Sequence, residues 1–457
     1  MRARNERVAL GALVVATLLA WALVPAHPNY DSYYHLVWGR ELLDGLTPTF
    51  EAYQAPTQHP LWLVVCAAAG LAGEQGDRLL VLLTALAHVA FAWAVYRLGR
   101  AVLRDTPAAV LGALFAGSSF ALLLYAARAY VDVPFLALVL WAAALEAERG
   151  PHTPRTLGLL TAAGLLRPEA WVLSGLYVLW AARRDLLAYV AAAIAPVTWA
   201  LVDLAVTGDP LWSLNATSDL ADELGRPQGL EEAVRSFFSF LGGTAREPVA
   251  VLGVAGAVLL WPRRRERPVQ VLAGLFAAGT LTFAATGVAG LSVLPRYLTV
   301  PAVVLCVLAG AAALAAWRAR RAVVVAVLVL ASPAVAWFAV TRLDRLDTEL
   351  TFTRAIHDDL VAVLDVPAVQ RARRCGPVTL PNYRLVPDTR WVLDASQREV
   401  GSRSARERDR GVALFLVGEK PARRYGRAAG ASPRTNQPRP PLRRIARRGA
   451  LVAYAAC

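Results

Sequence analysis

The residues best suited to chemistry gather in a few short polar stretches between long apolar runs. The first runs from Pro28 through Asn29-Tyr30-Asp31-Ser32-Tyr33-Tyr34-His35 to Gly45, and its spacing predicts a helix starting near Asp31. On that helix Asp31 and His35 stand one turn apart on one face. A second stretch, from Glu51 to Gln58-His59-Pro60-Leu61-Trp62, returns another polar cluster to the start of a short apolar helix. Arg167-Pro168-Glu169 and Pro295-Arg296-Tyr297-Leu298 are the third and fourth. Carboxylates, imidazoles and guanidiniums at an apolar boundary offer proton exchange and anion binding. Each also has a plainer reading. Asp31 would cap its helix while the aromatic residues form an interfacial belt. Arg296 would snorkel beside Tyr297, and Arg167 with Glu169 would brace a helix break as an ion pair.

The elements that position these groups follow from composition. Of 457 residues 56% are hydrophobic and only 18% charged, with a mean hydropathy of +0.43, which excludes a single water-soluble globule. Apolar runs near 8–25, 79–96, 108–127, 131–147, 156–166, 169–182, 186–206, 248–261, 268–287, 296–316 and 322–340 give about eleven candidate spans. The formal charge of +14 carries 48 basic residues, of which Lys420 alone is lysine. With no basic stripe interleaved with aromatics this is not a nucleic-acid surface, and the arginines serve instead as a topology signal. With the N-terminus cytoplasmic, clusters such as Arg97-Arg100-Arg104, Arg183-Arg184, Arg263-Arg264-Arg265 and Arg318-Arg320-Arg321 all fall inside. The loops 26–78, 207–247 and 288–295 then lie outside, as does everything after 340. Leu61–Gly73 is too short to cross about 30 Å of hydrocarbon and reads as a juxtamembrane or re-entrant helix. The segment 156–182 reads as two short helices meeting at Arg167-Pro168-Glu169. Such a break is tolerated only where it faces protein or a wet cavity, which makes Arg167 and Glu169 site candidates.

The fold class is therefore an α-helical multi-pass membrane domain, 1–340, with a small α/β extracytoplasmic tail domain, 341–457. The tail predicts an amphipathic helix from Asp344 to Leu364, strands at Val378–Leu380, Trp391–Asp394, Val412–Gly418 and Ala450–Ala455, and a loop from Ser432 to Arg444. Cys375 and Cys457 bracket this domain on the oxidising side and are expected to form a disulfide.

The order of these features resembles the GT-C superfamily of polyprenyl-phosphate-sugar-dependent glycosyltransferases. The matching elements are an N-terminal span, a loop with an acidic residue on a Tyr-rich helix, and the Pro60-Leu61-Trp62 juxtamembrane helix. Leu166-Arg167-Pro168-Glu169, Gly208-Asp209-Pro210-Leu211 and Pro295-Arg296-Tyr297-Leu298 complete the match over residues 1–340. The chain looks closest to the bacterial branch of arabinofuranosyltransferases and mannosyltransferase-like enzymes. The resemblance implies inverting transfer of a hexosyl or pentosyl group from a polyprenyl-phosphate donor to a glycan, lipid or protein acceptor of the cell envelope, outside the plasma membrane. It assigns Asp31 as general base, with Glu51 or Asp44 in reserve, because relatives often carry two adjacent acidic residues where this chain has Tyr30-Asp31. Arg296 and Arg167 become the donor-phosphate ligands, and Tyr34, His35, His59, Glu169 and Tyr297 the further substrate contacts. Arg128 and Asp132, in another short turn, are weaker candidates.

No cofactor is expected. His35 and His59 beside Asp31 lack a metal-ligand spacing, although a divalent ion there is the alternative. His88 and Asp203, ionisable within spans, make no convincing proton relay, and Asn215-Ala216-Thr217 is only a short sequon. A transporter or flippase without covalent chemistry is a second reading, disfavoured by span interiors built of Ala, Leu and Val. An oligosaccharyltransferase is a third, prompted by Asp31-Ser32-Tyr33-Tyr34-His35 but lacking that family's Trp-Trp-Asp motif in the tail.

Overall fold

The computed structural model describes residues 2–150, 153–408, 410–426 and 433–457. Helix α1 (Arg2–Leu23) leads into α2 (Tyr30–Leu43) and α3 (Pro60–Gly70), and then into α4 (Gly76–Leu103). The expected span at 108–127 is instead α5 (Thr106–Gly117) and α6 (Phe120–Ala127), bent by 60° at the intervening serines. After α7 (Asp132–Arg149), α8 (Thr153–Leu166) and α9 (Glu169–Ala181) meet at Arg167-Pro168. The residue before a proline resists the helical region, so the break is written locally. Next come α10 (Leu186–Thr207), α11 (Trp212–Glu223) and α12 (Leu230–Ala245). α12 and α13 (Glu247–Leu260) turn by 98° around Arg246, whose φ is 71°. α14 (Arg267–Val288), α15 (Thr299–Ala319) and α16 (Arg321–Leu364) complete the membrane part.

Each apolar run is helical; among the described residues five helices are by themselves long and apolar enough to cross a membrane, or up to eight if each bent pair is one span. The count of about eleven is not reached by length: α8 and α9 have 14 and 13 residues, short of the roughly 20 that a span needs. Leu186, Val190, Leu201, Val254, Val258 and Leu330 are exposed on the helix surfaces, a distribution suited to lipid rather than water.

α16 is one helix of 44 residues, so the last apolar run and the amphipathic tail helix are continuous, and the 340/341 boundary falls within it. α17 (Pro367–Ala372) precedes β1 (Val378–Leu380), α18 (Val386–Leu393), β2 (Val400–Ser402), β3 (Gly411–Leu416), β4 (Arg443–Arg448) and β5 (Leu451–Ala456). The sheet order is β2-β1-β3-β5-β4, with β1 parallel to β2 and β3 and the β3–β5–β4 part antiparallel. Ile356, Leu360, Val363 and Leu364 of α16 join Val378, Leu380, Leu414 and Leu451 of the sheet in the tail core. Trp391–Leu393 closes helix α18 rather than forming a strand, with Asp394 as its left-handed C-cap, and Pro387 occupies the first turn of α18, where a missing N–H costs nothing. Arg443 and Arg444 open β4 instead of closing a loop, and Ser432 lies outside the described residues. The Cys375–Cys457 disulfide is present, while Cys66 and Cys306 are buried free thiols.

The tail docks on α2. Arg390, 1% exposed, donates to Glu41 Oε1 at 2.6 Å and to Thr49 Oγ1 at 3.0 Å. Arg40 donates to the Trp391 carbonyl at 3.0 Å and stacks over its ring. α2 is held from behind by α3. A Cβ at Gly39 would fall 2.5 Å from the Ala67 nitrogen, so the two helices meet backbone to backbone there.

Candidate functional site

α2 begins one residue before Asp31. Its N-cap is Asn29, whose side chain accepts from the Ser32 nitrogen at 3.1 Å, so the Asp31 carboxylate is left free of capping duty. The 128–130 turn fixes this end of the helix. The Arg128 carbonyl accepts from the Asn29 backbone and side-chain nitrogens at 2.9 and 3.0 Å, and the Ala129 carbonyl accepts from Ser32 Oγ at 2.6 Å. Ala129 adopts φ 55°, a left-handed conformation costly for alanine, and it aims those two carbonyls at α2.

Asp31 thereby faces a cavity of about 1110 Å³ between the helices and the tail domain. His59, Arg167, Glu169, Arg296 and Tyr297 also line it. Asp31 Oδ2 lies 3.9 Å from an Arg296 terminal nitrogen, with side-chain exposures of 37% and 28%. Both remain open to the cavity. The loss of bulk hydration there pushes the Asp31 carboxyl above the ordinary aspartate range, and the Arg296 guanidinium opposes that rise. Arg296 Nε is buried with no partner among the described residues.

Arg167 is differently placed. Only 6% exposed, it is paired with Asp132 and with Glu169, whose Oε1 accepts from Nε at 2.9 Å. Its guanidinium also lies 5.4 Å from the Tyr297 ring, and that of Arg296 lies 5.6 Å from the same ring. The turn between α8 and α9 is thus braced by an arginine between two carboxylates. The tyrosine connects it to the turn at 295–298.

His59, at the start of α3, stacks on His35 at 5.1 Å. Burial first, then the neighbouring His35, holds the His59 imidazole well below its usual range, so it is neutral. Tyr34 and His35 do not line the cavity. Tyr34 packs with Trp38 and Phe50, away from the opening. His35 Nδ1 donates to the Asp31 carbonyl at 2.7 Å, which turns the ring toward α3, and burial pushes it down to about 4. Of the sequence candidates, the structure therefore gathers Asp31, His59, Arg167, Glu169, Arg296 and Tyr297, and leaves Tyr34 and His35 behind the wall.

Several wall residues carried no signal in the sequence. Tyr383, Arg384, Asp388 and Arg424 arrive from the tail, and Arg226 from the segment between α11 and α12. Tyr125 and Tyr130 flank Arg128, whose polar turn was a usable pointer. Asp203 was noted for its depth in a span. It proves to be a junction, accepting from Gln58 at 3.1 Å and from the Ser213 nitrogen and hydroxyl at 2.9 and 2.8 Å. It ties α10 and α11 to the first loop.

No family model matches the chain, and no curated protein sequence matches it. Among solved structures it is similar to the crystal structure of ArnT from Cupriavidus metallidurans bound to undecaprenyl phosphate, with 15% identity, a TM-score of 0.59 and 97% of each chain covered. It is also similar to ArnT of the same organism in the apo state, with 16% identity and a TM-score of 0.57, covering 100% of this chain and 98% of that one. At such identity the likeness shows the fold alone, an assembly of apolar helices followed by a small C-terminal sheet.

Proposed function

We propose that the chain is an inverting glycosyltransferase that moves a sugar from a polyprenyl-phosphate donor to a cell-envelope acceptor on the extracytoplasmic side of the plasma membrane. The observation that carries this reading is the Asp31 carboxylate, 3.9 Å from Arg296, on the wall of a cavity between lipid-facing helices and the tail. The fold likeness supports it, since one solved neighbour is bound to undecaprenyl phosphate.

The donor keeps its polyprenyl tail among the apolar helices and its phosphate at their boundary. Asp31 accepts the proton of an acceptor hydroxyl as its oxygen bonds to the anomeric carbon, and the bond from that carbon to the phosphate oxygen breaks. Polyprenyl phosphate leaves with the electron pair, and charge grows on its oxygens. Arg296 meets that charge: among the described residues its Nε is unpartnered and its one ion-pair partner within 4 Å is Asp31. Protonation of Asp31 then frees Arg296 for the phosphate at the moment of transfer. Arg167, already neutralised by Asp132 and Glu169, holds the turn and the Tyr297 ring rather than the phosphate. The 207–247 segment and the tail shape the acceptor side.

Asp31→Asn, nearly isosteric, tests the assignment in purified protein given a radiolabelled polyprenyl-phosphate sugar and a cell-envelope extract as acceptor. Transfer should fall by about 10²–10⁴-fold with donor binding retained, the range for removal of a general base. Full activity of the variant would remove Asp31 from this role. Movement of the labelled lipid across vesicles without transfer would favour a flippase.

A further inference from the structure

Three ligand-type side chains from distant parts of the chain meet at one point beside the cavity. His27 follows α1, Asp77 sits in the first turn of α4, and His357 lies on the tail half of α16. One ligand-capable atom of each lies within 4.8 Å of the other two, and all three residues are buried. A second ring of groups holds them. Asp388 of α18 is 2.9 Å from His357 Nδ1 and 3.7 Å from His27 Nε2. The Tyr33 hydroxyl donates to Asp77 Oδ2 at 3.0 Å and stands 3.3 Å from His27 Nδ1.

Charge balance asks for a cation here. Asp77 and Asp388 are buried carboxylates, and among the described residues no arginine or lysine is ion-paired to either. An isolated buried carboxylate is strongly unfavourable, and two side by side more so. A protonated His357 would answer only one of these charges, whereas one divalent ion held by the imidazoles would answer both.

The nitrogens are also set for ligation. With Asp388 accepting at Nδ1, His357 carries its proton there and presents the lone pair of Nε2. A carboxylate behind a ligating imidazole is the usual orienting partner in metal sites. At His27 the Tyr33 proton is committed to Asp77, which leaves the Nδ1 lone pair unused by that contact. Two imidazoles and a carboxylate suit zinc-class ions, whereas calcium and magnesium prefer all-oxygen sets.

We propose that His27, Asp77 and His357 bind one divalent ion of the zinc class, with Asp388 and Tyr33 orienting the ligands, and that this ion clamps the tail domain to the membrane helices. The ligands come from the α1–α2 connection, α4 and α16, and the orienting carboxylate from α18, so the ion would join three segments directly and a fourth through Asp388. His27, Tyr33 and Asp388 also line the cavity, so the clamp fixes the tail-side wall of the candidate site. The inference does not depend on the transferase reading.

The test uses the full chain purified in detergent. Metal analysis should find about one zinc equivalent, which a chelator removes. Titration of the stripped protein with Co²⁺ should produce the visible absorption of a four-coordinate site, and Zn²⁺ should raise its thermal transition. Asp388→Asn, close in size, should weaken binding by about 10–100-fold, as loss of an orienting partner does. His27→Ala combined with His357→Ala should abolish it. Folded, monodisperse wild-type protein that takes up neither Zn²⁺ nor Co²⁺ overturns the proposal, as does uptake unchanged in the double variant.

Discussion

Two turns of the chain deliver an arginine to the same cavity and use it in opposite ways. At the α8–α9 break Arg167 is almost fully buried and paired with two carboxylates. In the turn just before α15 Arg296 is half-buried, with one carboxylate at 3.9 Å and, among the described residues, no partner for its Nε. The same side chain is structural where its charge is consumed and available to an anion where it is not. Only the surplus charge can respond to a phosphate.

The largest effect that would sharpen this contrast is on stability. Arg167→Gln leaves the buried Asp132 and the largely buried Glu169 without their paired guanidinium, and removal of one member of a buried pair costs about 3–5 kcal/mol. Thermal unfolding in detergent should show that loss. Adding Asp132→Asn and Glu169→Gln to the same chain should recover much of it. A variant as stable as wild type would dissolve the distinction between the two arginines.

Arg296→Gln is the complementary experiment. It should leave the thermal transition nearly unchanged, because the lost partner is a distant, partly exposed carboxylate. Transfer should fall about 10²–10³-fold, the usual cost of removing one donor to a developing oxyanion. A large stability loss with normal turnover would reverse the roles assigned here.

How far this contrast was legible beforehand depends on what is local. Arg167-Pro168-Glu169 and Pro295-Arg296-Tyr297 announce helix breaks through proline and charge, so both turns were readable. Which arginine is neutralised was not, because Asp132 lies far from Arg167 in sequence and only packing joins them. His35 shows the same limit. Its one-turn spacing from Asp31 was correctly placed on α2, yet its ring bonds back to the Asp31 carbonyl and leaves the cavity to its neighbour. In the tail, β1, β3 and β5 have apolar runs and were visible. β4, with four arginines among six residues, hid behind charge that suits an edge strand. The tail residues on the cavity wall are placed by docking through Arg390 and Arg40, which no local pattern encodes. The count of about eleven spans is not confirmed for a related reason: hydropathy locates an apolar helix but does not say whether it crosses the bilayer or stops halfway.

The finest difference between the two turns should appear in the pH dependence of transfer. As a base Asp31 must be ionised in the free enzyme, so kcat/KM falls as the pH drops through its pKa. Burial raises that pKa, placing the acid limb above the ordinary aspartate value of about 3.9. Arg296 favours the charged carboxylate, so in Arg296→Gln the residual activity should show an acid limb displaced further toward neutral pH. Arg167 lowers the same pKa less than Arg296 does. Arg167→Lys, which keeps the positive charge, should therefore hold the limb near its wild-type position. If the limb moved equally in both variants, the two turns would be electrostatically equivalent toward Asp31, and the division between a spent and an available arginine would fail.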